Sequence, residues 1–160
     1  MPTRLLLALW MLIAGAAAQA ASFEAEVTFV TDGDSIWIRA PGEAPQALRI
    51  RGIDAPEICQ AFGREARAAL AAQVLHRQVR VRPAGHDDYG RLLGQVRSGR
   101  SDVGAWLVAQ GFAWSHDWHR KPGPYARLQA QAQQARRGLW AEAAPVEPRS
   151  FRRQHGRCEH

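Results

Sequence analysis

Lysine is nearly absent from this 160-residue chain: Lys121 stands alone among 21 basic residues, and the other 20 are arginine. Positive charge is therefore carried by planar guanidinium groups, which suit bidentate phosphate contacts and make polyanions plausible partners. A genome that writes arginine for every solvated cation gives the same composition, so the net charge of +6 and pI near 10.6 decide nothing by themselves. Cysteine is scarce too, at two residues, and Cys158 has only the tail histidines His155 and His160 beside it. That is a weak case for zinc. Long apolar runs are missing apart from Leu5 to Ala14, which is shorter than the roughly 20 residues a membrane span needs, so no stable membrane insertion is expected. There is no internal repeat and no low-complexity stretch beyond the alanine-rich start. The length allows one domain with a real core and one active site at most.

What the chain does contain begins with a leader. Arg4 precedes the apolar run, and small residues follow to Ala18–Ala20, the layout of a signal peptide cut after Ala20. The remainder, with 20 basic and 15 acidic residues, is still +5. It is expected in the periplasm or outside the cell, where oxidation is allowed, and the even cysteine count then predicts one disulfide, Cys59 to Cys158.

Period-two alternation predicts strands at 25–30, 34–40, 46–53, 78–83 and 91–97. Phe62, Ala66, Leu70 and Val74 recur every four positions, which predicts a helix between the third and fourth strands. A second helix is bracketed by Ser101 as N-cap and Gly111 as stop, and a third runs from Pro124 to Gly138 with Arg136 and Arg137 in its last turn. Five strands with a helix between the third and fourth give an α+β chain, a five-stranded OB-fold β-barrel with three α-helices. The leader spans 1–20, the barrel domain 21–142, and 143–160 reads as a proline-containing linker with a basic tail.

The stretch LRIRGIDAPE, residues 48–57, gathers arginines and acids around Pro56. Asp54 closes the third strand, and Asp32 and Asp34 lie in the first turn, which an OB barrel brings to the same end. Alone, TDGD is an ordinary hairpin and DAPE a turn with a helix-capping acid. Together they supply oxygen ligands for a hard cation, a carboxylate to handle water, and cations for developing phosphorane charge, the three parts of a phosphodiester cleaver.

The motifs DGDS at 32–35, LRIRGIDAPE at 48–57, DDYGR at 87–91 and the closing RRGLW resemble the staphylococcal nuclease (thermonuclease) family of calcium-dependent OB-fold nucleases, from about Val27 to Trp140. The resemblance implies that Asp34, Asp54 and the backbone carbonyl of Ala55 bind Ca²⁺, with Asp32 behind them. Ala55 replaces the usual threonine, which a carbonyl ligand survives. It implies that Glu57 handles the attacking water, that Arg49 and Arg91 hold the phosphate, and that Tyr89 contacts a neighbouring phosphate. Asp88 stands where the family has a lysine. The base-stacking tyrosines fall near Asp117 and His119, where Trp114 and Trp118 are the candidates, Trp118 ahead. Trp106 and Trp140 are assigned to the core, and His116 and His119, without a third ligand, read as surface or phosphate-contacting residues rather than a metal pair. The expected protein is a monomeric, exported Ca²⁺-dependent nuclease acting on DNA and RNA to give 3′-phosphate ends. The rival readings are a non-catalytic OB module that only binds nucleic acid, and a basic envelope adhesion domain without metal dependence.

Overall fold

In a computed structural model, which describes residues 21–116, 121–156 and 158, the alternating segments become strands with one face inward. They are β1 (Phe23–Val30), β2 (Ser35–Arg39), β3 (Gln46–Ile50), β5 (Gln78–His86) and β6 (Leu92–Ser98), with a two-residue β4 (Ile53–Asp54) between β3 and β5. Val27, Ile36, Ile38, Leu48, Ile50, Val79, Val81 and Val96 all turn into one buried core. β1 pairs antiparallel with β2 and β5, β2 with β3, and β5 with β6; a parallel β3–β6 pairing, Leu48 opposite Leu92 and Ile50 opposite Gly94, closes the barrel. Closure removes the sheet edges that would otherwise invite pairing with another chain.

Helix α1 (Gly63–Val74) lies between β3 and β5 in the chain, as expected, and buries Ala66, Leu70 and Val74. Its N-cap is Phe62 in the left-handed region (φ 69°) with no side-chain cap, so Glu57 does not cap it. Helix α2 (Val103–Ala109) follows the short strand β7 (Ser101–Asp102). Its cap is Asp102, whose carboxylate accepts from the Ala105 amide at 3.0 Å; Ser101 is one residue too early because it still pairs with Ser98. Gly111, at φ 75°, provides the stop.

The third helix is shorter than its polar pattern suggests. Helix α3 covers Ala126–Gln134, Arg136 already sits at φ 50°, and Gly138–Ala141 forms a separate 3₁₀ turn. Arg136 and Arg137 therefore lie beyond the helix they were expected to end. Strand β8 (Trp114–Ser115) pairs with β4, setting Asp54 opposite Trp114. A fourth helix, α4 (Pro148–His155), occupies the segment expected to be a tail. Its proline at the first turn suits a helix start, and Arg152, Arg153 and His155 lie in the last turn, where the helix dipole favours cations.

Candidate active site

The turn after β1 is tied to the end of β3 by the Ile50 amide, which donates to the Asp34 carbonyl at 2.8 Å, and the turn is closed on itself by the Thr31 amide, which donates to the Ser35 carbonyl at 2.9 Å. Gly33 permits the approach, since a Cβ there would lie 2.7 Å from the Cβ atoms of both Ala55 and Ala66. Inside the turn, the Asp32 carboxylate accepts from the Asp34 amide at 2.9 Å and fixes how Asp34 is presented.

Asp34 and Asp54 are both buried, at 2% exposure each, and Arg49 bridges them: Nη1 donates to Asp34 Oδ1 at 2.8 Å and Nη2 to Asp54 Oδ1 at 2.7 Å. Asp34 Oδ2 accepts from the Ala55 amide at 3.1 Å, which sets the Ala55 peptide beside it. Burial pushes the Asp34 carboxyl up to about 7 against the downward pull of Arg49, while Asp32 and Asp54 add to the rise. Asp34 in turn holds the Arg49 guanidinium charged more firmly than usual.

Arg91 joins this group through Ser35. Its Nη1 donates to Ser35 Oγ at 3.3 Å, and that hydroxyl donates to Asp34 Oδ1 at 2.8 Å. The Arg91 Nε donates to Asp87 Oδ2 at 2.8 Å, and Asp87 Oδ1 accepts from the Tyr89 and Arg91 amides, so Asp87 folds the DDYGR loop. Tyr89 is 65% exposed, with the Arg91 guanidinium 5.7 Å from the centre of its ring. Arg49, Glu57, Tyr89 and Arg91 thus open on one cleft of about 960 Å³, whose lining also includes His116 and Tyr125.

The sequence-predicted residues Asp32, Asp34, Arg49, Asp54, Ala55, Glu57, Tyr89 and Arg91 are brought to one end of the barrel. Trp114 is not on the cleft: its ring packs edge-on against Trp140 with centres 4.3 Å apart, in a small cluster with Ala132, Leu139 and Phe62. The core assignment of Trp140 holds, and Trp106 packs against the main core. Asp117, Trp118 and His119 lie outside the described residues. The Cys59–Cys158 disulfide is present, with Cα atoms 5.7 Å apart.

Arg152 is the residue that sequence reasoning missed. Its fork from α4 donates to Asp54 Oδ1 at 3.1 Å, Asp54 Oδ2 at 2.9 Å and Glu57 Oε1 at 2.7 Å. The signal for it was the cysteine pair, since a bridge from Cys158 to Cys59 carries the tail to the loop of Glu57. Among the described residues no three His, Cys, Asp or Glu side chains form a metal cage. The donor set is instead two buried carboxylates beside a peptide. Around it, Asp32, Asp34, Asp54 and Glu57 face Arg49 and Arg152, four formal negative charges against two positive ones. Hard oxygens short of two positive charges fit a hard divalent cation.

Comparison with known proteins agrees with this geometry. Residues 47–142 match the family described as staphylococcal nuclease homologue. A protein named micrococcal nuclease from Shigella flexneri is 33% identical over 144 residues, covering 83% of this chain and 82% of the relative. An endonuclease described as uncharacterized from Haemophilus influenzae is 34% identical over 128 residues, covering 80% and 72%. Protein ParB of Escherichia coli is 39% identical over 145 residues, covering 84% and 81%. With the barrel, the ordered motifs and these matches in hand, the chain belongs to the staphylococcal nuclease family.

Proposed function

We propose that this protein is a calcium-dependent endonuclease that hydrolyses phosphodiester bonds of DNA and RNA outside the cytoplasm, leaving 3′-phosphate ends. The observation that carries it is the convergence of Arg49, Glu57 and Arg91 around the buried, cation-deficient pair Asp34 and Asp54. The ion would be held by Asp34, Asp54 and the Ala55 carbonyl, with Asp32 bracing Asp34. When bound it supplies Lewis-acid polarisation of the phosphodiester.

The protein's own groups do the rest. Glu57 orients the attacking water and accepts its proton. Arg49 and Arg91 hold the phosphate oxygens and meet the charge that grows on them, where a planar fork serves better than an ammonium. Tyr89, exposed at the rim, contacts a neighbouring phosphate, and base stacking is assigned to Trp118 because an indole stacks on any base. The Cys59–Cys158 bridge supports an exported location reached through the leader at 1–20, since such bonds persist in oxidising compartments. Among the described residues no helix is long and apolar enough to cross a membrane. The protein acts as a monomer.

The test is cleavage of DNA and RNA by the purified chain from residue 21 onward, with calcium, with magnesium alone, and with a calcium chelator. Two carboxylates and a carbonyl should bind calcium at about 10⁻⁴ to 10⁻³ M, and magnesium should substitute poorly because it demands tighter octahedral geometry. Full activity in a calcium chelator with magnesium present would refute the calcium assignment. Binding without cleavage under all conditions would refute the enzyme.

A further inference from the structure

The tail is fixed to the loop of Glu57 at three places, and the middle one lands on the carboxylates of the site. Ahead of α4, the Val146 carbonyl accepts from Gln60 Nε2 at 2.7 Å. Behind it, Cys158 is bonded to Cys59, and its sulfur also accepts from the Cys59 amide at 3.1 Å. Between these anchors Arg152 spans Glu57 and both oxygens of Asp54. Positions 57, 59 and 60 thus hold positions 152, 158 and 146, a clasp in which α4 has one register on the loop.

A carboxylate offers about four lone-pair positions. At Asp54 three are taken, one by Arg49 and two by the Arg152 fork. A divalent cation bonding to Asp54 must share the oxygen with, or displace, a guanidinium that already sits on it, and like charges at such distances repel strongly in a partly buried site.

We infer that Arg152 is a built-in competitor for the metal: its docking on Asp54 and the binding of a divalent cation oppose one another, so the tail sets how much calcium the site requires. This rests on the reading of Asp54 as a metal ligand. The competition is intramolecular, with α4 tethered by the disulfide, so the guanidinium faces the site at a high effective concentration that dilution cannot lower. By reciprocity, whatever factor Arg152 takes from calcium affinity, calcium takes from the docking of Arg152. Metal entry therefore loosens the grip of α4 on Asp54 while the disulfide keeps the helix at the site.

The experiment is calorimetric titration of calcium, without nucleic acid, into the oxidised chain from residue 21 onward and into four variants. Arg152→Gln should bind calcium roughly 10-fold more tightly, within the usual span of coupling between sites. Arg152→Lys should gain less, because lysine keeps the charge while losing the fork. Cys158→Ser, which frees the tail but leaves Arg152 in place, should also tighten binding; a bridge that only adds stability would leave affinity unchanged. Asp54→Asn should lose the site. Affinity equal to or weaker than native in Arg152→Gln, with Asp54→Asn still abolishing binding, would overturn the competition and make Arg152 a brace. Calcium binding unaffected by Asp54→Asn, or no binding to any form, would overturn the metal reading and this inference with it. If Arg152→Gln fails to fold, the Cys158→Ser affinity decides the matter in the same way.

Discussion

Arg49 has two duties that one substitution removes together. Its fork closes the gap between Asp34 and Asp54, and it faces the cleft where the phosphate would lie. Arg49→Lys reaches only one aspartate, so it should lower turnover by about two to four orders of magnitude and also cost stability, up to about 3–5 kcal/mol for breaking a buried pair. Glu57→Gln should lose a similar factor in rate at little cost to the fold, because an amide oxygen still accepts from Arg152. Arg91→Lys falls between: rate drops, but its Asp87 partner is a local pair of small worth to stability. Steady-state rates and thermal melts on the three variants check this order, and near-normal turnover in any one removes that residue from the mechanism. Tyr125, on the cleft wall, gives a separate check at high pH. Burial first, and then the Asp102 carboxylate beside its hydroxyl, push it up to about 12 from 10.0. The fold favours the neutral ring, so Tyr125 contributes fully below about pH 10 and loses that contribution as pH rises through about 12. In a Tyr89→Phe variant, tyrosinate absorbance should therefore rise near pH 12; a midpoint at 10 would mean that Tyr125 is not held as described.

Elements differ in how far local sequence specifies them. The five barrel strands and α1 were legible because inward residues repeat at two or four positions, and the DGD turn and DAPE loop were legible because their carboxylates form a chemical set with Arg49 and Arg91. The two-residue strands β4 and β8 carry no period at all, yet their pairing is what places Asp54 opposite Trp114. Helix α4 was illegible for a related reason: PRSFRRQH has one large apolar residue, Phe151, and its helicity depends on contacts with Asp54, Glu57, Cys59 and Gln60 from far back in the chain. Such a helix should be the part of the molecule most sensitive to its staple. The bridge closes a loop with a sequence separation of 99, for which chain entropy gives about 4.7 kcal/mol at the upper end. Cys158→Ser should lose a large part of that in denaturant unfolding, whereas a loss below about 1 kcal/mol would mean that the unfolded chain gains little freedom from the cut. Gly33→Ala tests the opposite kind of contact: with Ala55 and Ala66 in the way, overpacking should cost about 1–3 kcal/mol and shift the turn that presents Asp34.

At the scale of the whole molecule the question is where the charge of +6 lies relative to the cleft. Among the described cleft residues, Arg49, Arg51, Arg91 and Arg152 are matched by Asp32, Glu57, Asp87 and Asp88. Asp34 and Asp54, buried directly behind that lining, add two negative charges, so the site as a whole is formally −2 on a chain of net charge +6. A polyanion is drawn in by the general field but is repelled at the site until a dication offsets those two negative charges. Affinity for a single strand should therefore have two separable parts. With Glu57→Gln to prevent cleavage, binding of a labelled oligonucleotide without calcium should be weak and fall with salt. Calcium should then tighten it more than an equal ionic strength of sodium chloride does. If the loaded cleft engages about three phosphates, the slope of log affinity against log salt should be near −2 for single strands. Base composition should change affinity little, because phosphate contacts and stacking do not read sequence. Fluorescence anisotropy across a salt series, with and without calcium, measures all of these quantities. Binding as tight without calcium as with it would show that the surface field, and not the site, holds the substrate.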